Sequence, residues 1–241
     1  MKNTFKKIQE NISEEILKKD KNSMVDGIIN CEKYAEAKTK ILWVLKEPNT
    51  SETWTYQDFL SINDIESKIG SKNDTLTYEI FRRMLYISFG LINNKEYAEL
   101  PFAEELEVYG TGEEIAFINI KKTGGGRNVI ENEIEQAYND NEDLLLKQIK
   151  EYNPNIIIFG NTLKYFDLDK LKEIGWNLSE DKHIVDDKTN NTHFYPISNE
   201  KLCIYPYHPS YFTISREVYC TEVIKAGMQW RELNKKNNLS N

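Results

Sequence analysis

Four short apolar runs punctuate the chain: Ile41 to Leu45 (ILWVL), Ile115 to Ile120 (IAFINI), Ile156 to Phe159 (IIIF) and Leu202 to Tyr205 (LCIY). Nearly unbroken hydrophobicity over so few residues, bounded by polar positions, predicts strands buried on both faces. Between them the apolar period changes. Leu76, Ile80, Met84, Ile87 and Leu91 recur at helical spacing, as do Ile130, Ile134, Ala137, Leu145, Ile149 and Tyr152, a pattern that stops before Pro154. A shorter helix is predicted from Leu163 to Ile174. A last one carries Tyr219, Val223, Ala226, Trp230 and Leu233 on one stripe, and Phe5, Ile8, Ile12 and Ile16 mark an N-terminal helix over 1–38. Strands alternating with helices predict an α/β fold, a three-layer αβα sandwich around a central four-stranded, mostly parallel sheet.

The segment from Lys182 to Ile197 alternates apolar and polar residues about an Asp/Asn-rich centre, which predicts a hairpin inserted before the last strand. The polar tail 234–241 is expected to fray. A hydrophobic fraction of 39% without an extended linker predicts one domain over 1–241. The three cysteines, Cys31, Cys203 and Cys220, lack CxxC spacing, so neither a disulfide framework nor an iron–sulfur site is suggested, and a reducing, cytoplasmic setting suits them. The N-terminus has no apolar signal core, and no stretch is long enough to span a membrane. The formal net charge of −8 opposes general attraction to a polyanion, so any nucleic-acid site must be a local basic patch.

Open parallel sheets bind ligands beyond the carboxyl ends of their strands. After the first run stands Lys46-Glu47-Pro48-Asn49, a carboxylate fixed before a proline and suited to activating water. The second ends in Asn119, whose amide offers a donor and an acceptor to a base edge. It is followed by Lys121, Lys122, Thr123, Gly124, Gly125, Gly126 and Arg127, where glycines open backbone N–H groups to a phosphate and the cations supply charge. After the fourth comes Tyr207-His208-Pro209-Ser210-Tyr211-Phe212. A neutral imidazole there can donate to negative charge on a leaving base. The third end, Gly160-Asn161-Thr162, reads only as a helix entry.

These motifs, in this order and over most of the chain, resemble the uracil-DNA glycosylase superfamily. Leu45-Lys46-Glu47-Pro48-Asn49 stands where the family's first motif ends strand one, Phe117-Ile118-Asn119-Ile120-Lys121 fits its middle motif, and Tyr207-His208-Pro209-Ser210-Tyr211 matches its last. The resemblance implies that Glu47 positions or activates water, that Asn119 reads an extruded base, and that His208 stabilises the departing base anion. It further implies a DNA glycosylase that flips the base out and hydrolyses its N-glycosidic bond, uracil or another modified base being the substrate, in base-excision repair of DNA damage. Trp54, Tyr56 and Phe59 are the aromatics suited to stack on the base; Ser210, Tyr211 and Phe212 are suited to contact DNA, the last two as a wedge in the vacated stack. The implied partner is DNA, single- or double-stranded, with no membrane, no cofactor and no metal, and the protein acting as a monomer. Leu45 replaces the family's glycine and Asn49 its usual Tyr or Gly, which bears on the substrate.

Three other readings compete, one of them that Lys121, Lys122 and Arg127 dock the acidic surface of a protein partner instead of nucleic acid. Glu47, Asp186, Asp187, His183 and His193 could surround a divalent metal, a spacing that is not diagnostic. A non-catalytic module of the same fold could bind a nucleobase or DNA. Retention of Glu47, Asn119 and His208 together favours catalysis, because a binder needs no water-activating carboxylate.

Overall fold

In the computed structural model, residues 2–48, 76–103, 105–125, 130–178, 182–186, 188–189 and 191–239 are described. All four apolar runs form strands: β2 (Ile41–Leu45), β3 (Ala116–Asn119), β4 (Ile156–Phe159) and β7 (Leu202–Pro206). They lie side by side in the order β3-β2-β4-β7, every neighbouring pair parallel. The sheet is nevertheless larger than the expected four strands. It has seven, because β1 (Gly27–Ile28) adds antiparallel to β3 at one edge, and the expected hairpin, β5 (His183–Ile184) with β6 (Thr192–Pro196), adds antiparallel to β7 at the other. Short strands at both edges close off the backbone groups that the parallel core would otherwise expose.

Side-chain alternation splits each central strand between two cores. On one face Trp43, Leu45, Phe117, Ile158 and Ile204 pack against α3 (Leu76–Asn93) and α7 (Arg216–Leu239). On the other, Leu42, Val44, Ile118, Ile157 and Cys203 pack against α1 (Lys2–Lys19) and α5 (Glu131–Tyr152). Between α3 and β3 lies the short helix α4 (Leu106–Tyr109), with a 3-10 turn on either side. Three helix boundaries differ from expectation. The N-terminal segment is helix, strand and helix, since Asn30 caps a separate α2 (Cys31–Glu36) by accepting from the N–H groups of Glu32 and Lys33. The predicted helix over Leu163–Ile174 is a 3-10 turn and then α6 (Leu168–Glu173), which Asp167 caps in the same way. The polar tail continues α7 to Leu239.

The chain order reverses at β2, with the next strand on one side and the one after it on the other. A crevice beyond the carboxyl ends of such strands is where an open α/β sheet takes its ligands. Pairing continues past the strand ends there: Ile120 and Lys121 donate their N–H groups to Leu45 and Lys46 at 3.0 and 2.9 Å, and Gly160 donates to Val44 at 3.0 Å. The segments that follow the strands are thereby held in register.

Candidate functional site

Gly160 sets the floor of the crevice. A Cβ on it would lie 3.1 Å from Leu45 Cδ2, 3.1 Å from Pro209 Cδ and 3.7 Å from His208 Cδ2. Glycine on β4's exit thus lets the leucine at the end of β2 and the histidine loop after β7 meet above it. Leu45 is itself buried. Its bulk is accommodated by Gly160, which is more than the helix entry read from the sequence. Asn161 follows at φ 55°, a left-handed conformation that asparagine tolerates, and its N–H is held by the Pro206 carbonyl at 2.9 Å.

His208 begins a tight turn that Pro209 pre-shapes, closed by the Tyr211 N–H on the His208 carbonyl at 2.8 Å. Within the turn the Ser210 backbone N–H donates to His208 Nδ1 at 3.2 Å, and the Ser210 hydroxyl lies 2.7 Å from the same nitrogen. With Nδ1 accepting, the neutral ring carries its proton on Nε2, ready to donate. Burial, and then the nearby Lys46 ammonium, push the imidazole down to about 4 from its ordinary value, so it is neutral at physiological pH. Ser210 therefore orients the histidine. The turn is braced from below by buried Arg83, which donates to the carbonyls of Tyr211 and Ile214 at 3.2 and 2.8 Å and lies 5.0 Å from the Phe212 ring centroid. Tyr207 stacks on Tyr211 at 4.7 Å, and both rings, with Phe212, remain exposed beside the histidine.

Glu47 leaves β2 with its side chain only 6% exposed and pairs with Lys121 Nζ at 3.1 Å. The glycine loop lies directly on it: a Cβ at Gly125 would fall 2.0 Å from the Glu47 carboxyl carbon, and the Gly125 N–H donates to the Pro48 carbonyl at 2.8 Å. Gly125 is there because the carboxylate and the backbone touch. Gly125 thus encloses the carboxylate, within the loop that the sequence suggested as a phosphate cradle. Lys121 also pairs with Glu133 in the first turn of α5 at 2.8 Å, and the Glu133 contact is the main cause of its raised pKa.

Asn119 ends β3 at 1% exposure. Its backbone N–H donates to Asp26 Oδ2 at 2.7 Å, and its buried side-chain oxygen accepts no hydrogen bond from a described residue. Asp26 heads a buried polar platform that sequence reading missed. Its carboxylate takes Lys122 Nζ at 2.9 and 2.8 Å and Gln148 Nε2 at 2.9 Å, while Gln9 joins Asp26, Ile28 and Tyr152 beneath. Gly27, at φ 126°, admits this arrangement, since a Cβ would lie 2.3 Å from both Gln9 Oε1 and the Tyr152 hydroxyl. Lys122 must consequently be removed from the expected phosphate contacts. It is 4% exposed and satisfied inside the protein, and burial lowers its pKa.

The rim carries a further charged cluster. Lys46 Nζ meets Glu131 Oε1 at 2.6 Å, Lys164 Nζ meets Glu131 Oε2 at 2.7 Å, and the Tyr165 hydroxyl donates to the same oxygen. These donors hold the Glu131 carboxyl at about 2, the Lys164 bond contributing most. No sequence motif marked it, because its members are ordinary surface residue types brought together by the ends of β2, β4 and the start of α5.

Trp54, Tyr56, Phe59, Gly126 and Arg127 lie outside the described residues, as do Asn49 and Asp187. Gly124 and Gly125 are described; Ser210, Tyr211 and Phe212 stand beside His208. Among the described residues no His, Cys, Asp and Glu cluster could hold a metal ion. His183 and His193 stand on opposite faces of their hairpin, one stacked on Phe194 and the other against Tyr205. All three cysteines are free thiols. No described helix is long and apolar enough to cross a membrane. Compared with known proteins, the chain matches no family model and no curated protein.

Proposed function

We propose that this protein is a DNA glycosylase of the uracil-DNA glycosylase type in fold and chemistry, removing uracil or another modified base from DNA in base-excision repair. The observation that carries this reading is the neutral, Ser210-oriented His208 packed on Gly160, after a strand that runs parallel to those ending in Asn119 and before Glu47. The four parallel strands in the order β3-β2-β4-β7 support it. In the reaction, water adds to the sugar C1′ as the C1′–N bond breaks, and the bonding electrons leave with the base. Glu47, steadied by Lys121, takes the proton from water. His208 Nε2–H donates a hydrogen bond to the anionic base, and a neutral donor suits that role because it need not give up its proton. Asn119, its backbone fixed by Asp26, is buried, and its amide reads the base edge where the base enters as far as the end of β3. Exposed Tyr211 and Phe212 face the DNA, which arrives with its target base flipped out.

The test is to incubate the purified protein, with chelator, with oligonucleotides carrying uracil, other deaminated bases or alkylated bases, and to score alkali-labile abasic sites. Cleavage of one class, lost in His208→Ala, supports the reading. The enclosure of Glu47 by Gly125 and Lys121 favours a second reading, a non-catalytic module that binds a nucleobase or DNA. Tight binding with no abasic site on any oligonucleotide would establish it instead.

A further inference from the structure

Glu131 is 51% exposed at the rim of the crevice, yet its carboxylate gathers two ammonium groups and a phenol. One oxygen accepts from Lys46, the other from Lys164 and Tyr165. Two cations on one carboxylate leave an excess positive charge in a chain whose formal net charge is −8. The backbones that carry these donors are positioned independently of Glu131. Lys46 follows β2, with its carbonyl held by the Lys121 N–H at 2.9 Å, and Lys164 and Tyr165 lie in the 3-10 turn that leaves β4. What sits among them is a singly charged anion with two equivalent oxygens. A phosphodiester has the same charge and the same pair of non-bridging oxygens.

We propose that Lys46, Lys164 and Tyr165 form a backbone-phosphate site at the mouth of the crevice, which Glu131 occupies as an internal stand-in until nucleic acid displaces it. This rests on the DNA reading and adds to it a latch against non-specific binding. The Lys164–Glu131 pair is exposed at both ends, 44% and 51%, and such a pair is only weakly favourable in water, while the Lys46 ammonium, 10% exposed, keeps an anion at its place whichever one supplies it. Phosphate binding would then release Glu131 to solvent.

Binding of an unmodified, fluorescently labelled single-stranded oligonucleotide, as a function of salt, tests this without any need for base excision. Glu131→Gln keeps the side chain's shape and removes the competing charge. It should bind about five- to tenfold more tightly than the unaltered protein near 0.1 M salt, and its slope of log affinity against log salt should steepen by roughly one phosphate's worth. In a Lys164→Gln background the same change should gain about twofold or less, since the site has lost a donor. Melting curves identify any variant that fails to fold, and Glu131→Asp, which retains the charge, provides a second comparison that should gain little. Binding by the unaltered protein with no gain in a folded Glu131→Gln would overturn the latch and leave the DNA reading standing. Absence of binding by both proteins would overturn both.

Discussion

Lys121 and Lys122 are neighbours in the chain and work in different media. Lys122 points under β3 into the platform of Asp26, Gln148 and Tyr152, closed from solvent. Lys121 points over the strand end, between Glu47 and Glu133, with its side chain 20% exposed. Strand alternation continues through the register-extending bonds to Leu45 and Lys46, which is why two adjacent cations separate to opposite sides. The lower charge holds the strand in place; the upper one belongs to the site. Identical residue type therefore says little about role until the pleat is known, and the two regions should respond oppositely to mutation, one in stability and the other in activity.

The largest effect is expected from breaking the lower pair. Lys122→Met leaves the buried Asp26 carboxylate without its cation and should cost about 3–5 kcal/mol in urea unfolding, whereas Lys121→Met, which uncovers the enclosed Glu47 carboxylate at a place solvent still reaches, should cost less, about 1–2 kcal/mol. Equal losses would erase the distinction. Gly125→Ala sharpens it from above: the new methyl must displace the Glu47 carboxylate, and a shift of that size should slow base release by about a hundredfold with little change in melting temperature. Ser210→Ala removes one hydrogen bond that orients His208, which should reduce the rate by about five- to tenfold in single-turnover assays. The smallest effect is on pH dependence. Because the His208 pKa lies near 4, the acid limb it contributes to the rate should fall near pH 4, well below the ordinary imidazole value of about 6.5. For stability the sign follows from a depressed cation: the unfolded chain takes up this proton below about pH 6.5 and the folded one only near 4, so stability falls across that window as pH drops. A His208→Asn variant should lose less on acidification over the same range.

The central strands were legible because ILWVL and IIIF are too apolar and too short to be anything but buried strands, and α3 and α5 because their period holds over many turns. The edge strand Gly27–Ile28 was not, since two residues carry no periodicity and its place depends on pairing with Phe117 and Ala116. The hairpin was visible as local alternation, but its extension of the sheet from four strands to seven depends on contacts distant in sequence. At the site, Glu47, Asn119 and His208 could be chosen by their position after strands. The roles of Gly160, Gly125 and Asp26 could not, because each is defined by what approaches it from another part of the chain. An acidic residue one position before the conspicuous Gly27, with Gln148 and Tyr152 at helical spacing on α5, was the available signal for the buried platform.

The most direct measurement of the central claim is mass spectrometry of reaction products from lesion-bearing DNA incubated with the protein in ¹⁸O-water with chelator. Hydrolysis at C1′ predicts a free base without label and a sugar C1′ oxygen that carries it, both absent with His208→Ala. Label on the base, cleavage of phosphodiester bonds with the base still attached, or no released base from any lesion would contradict the account.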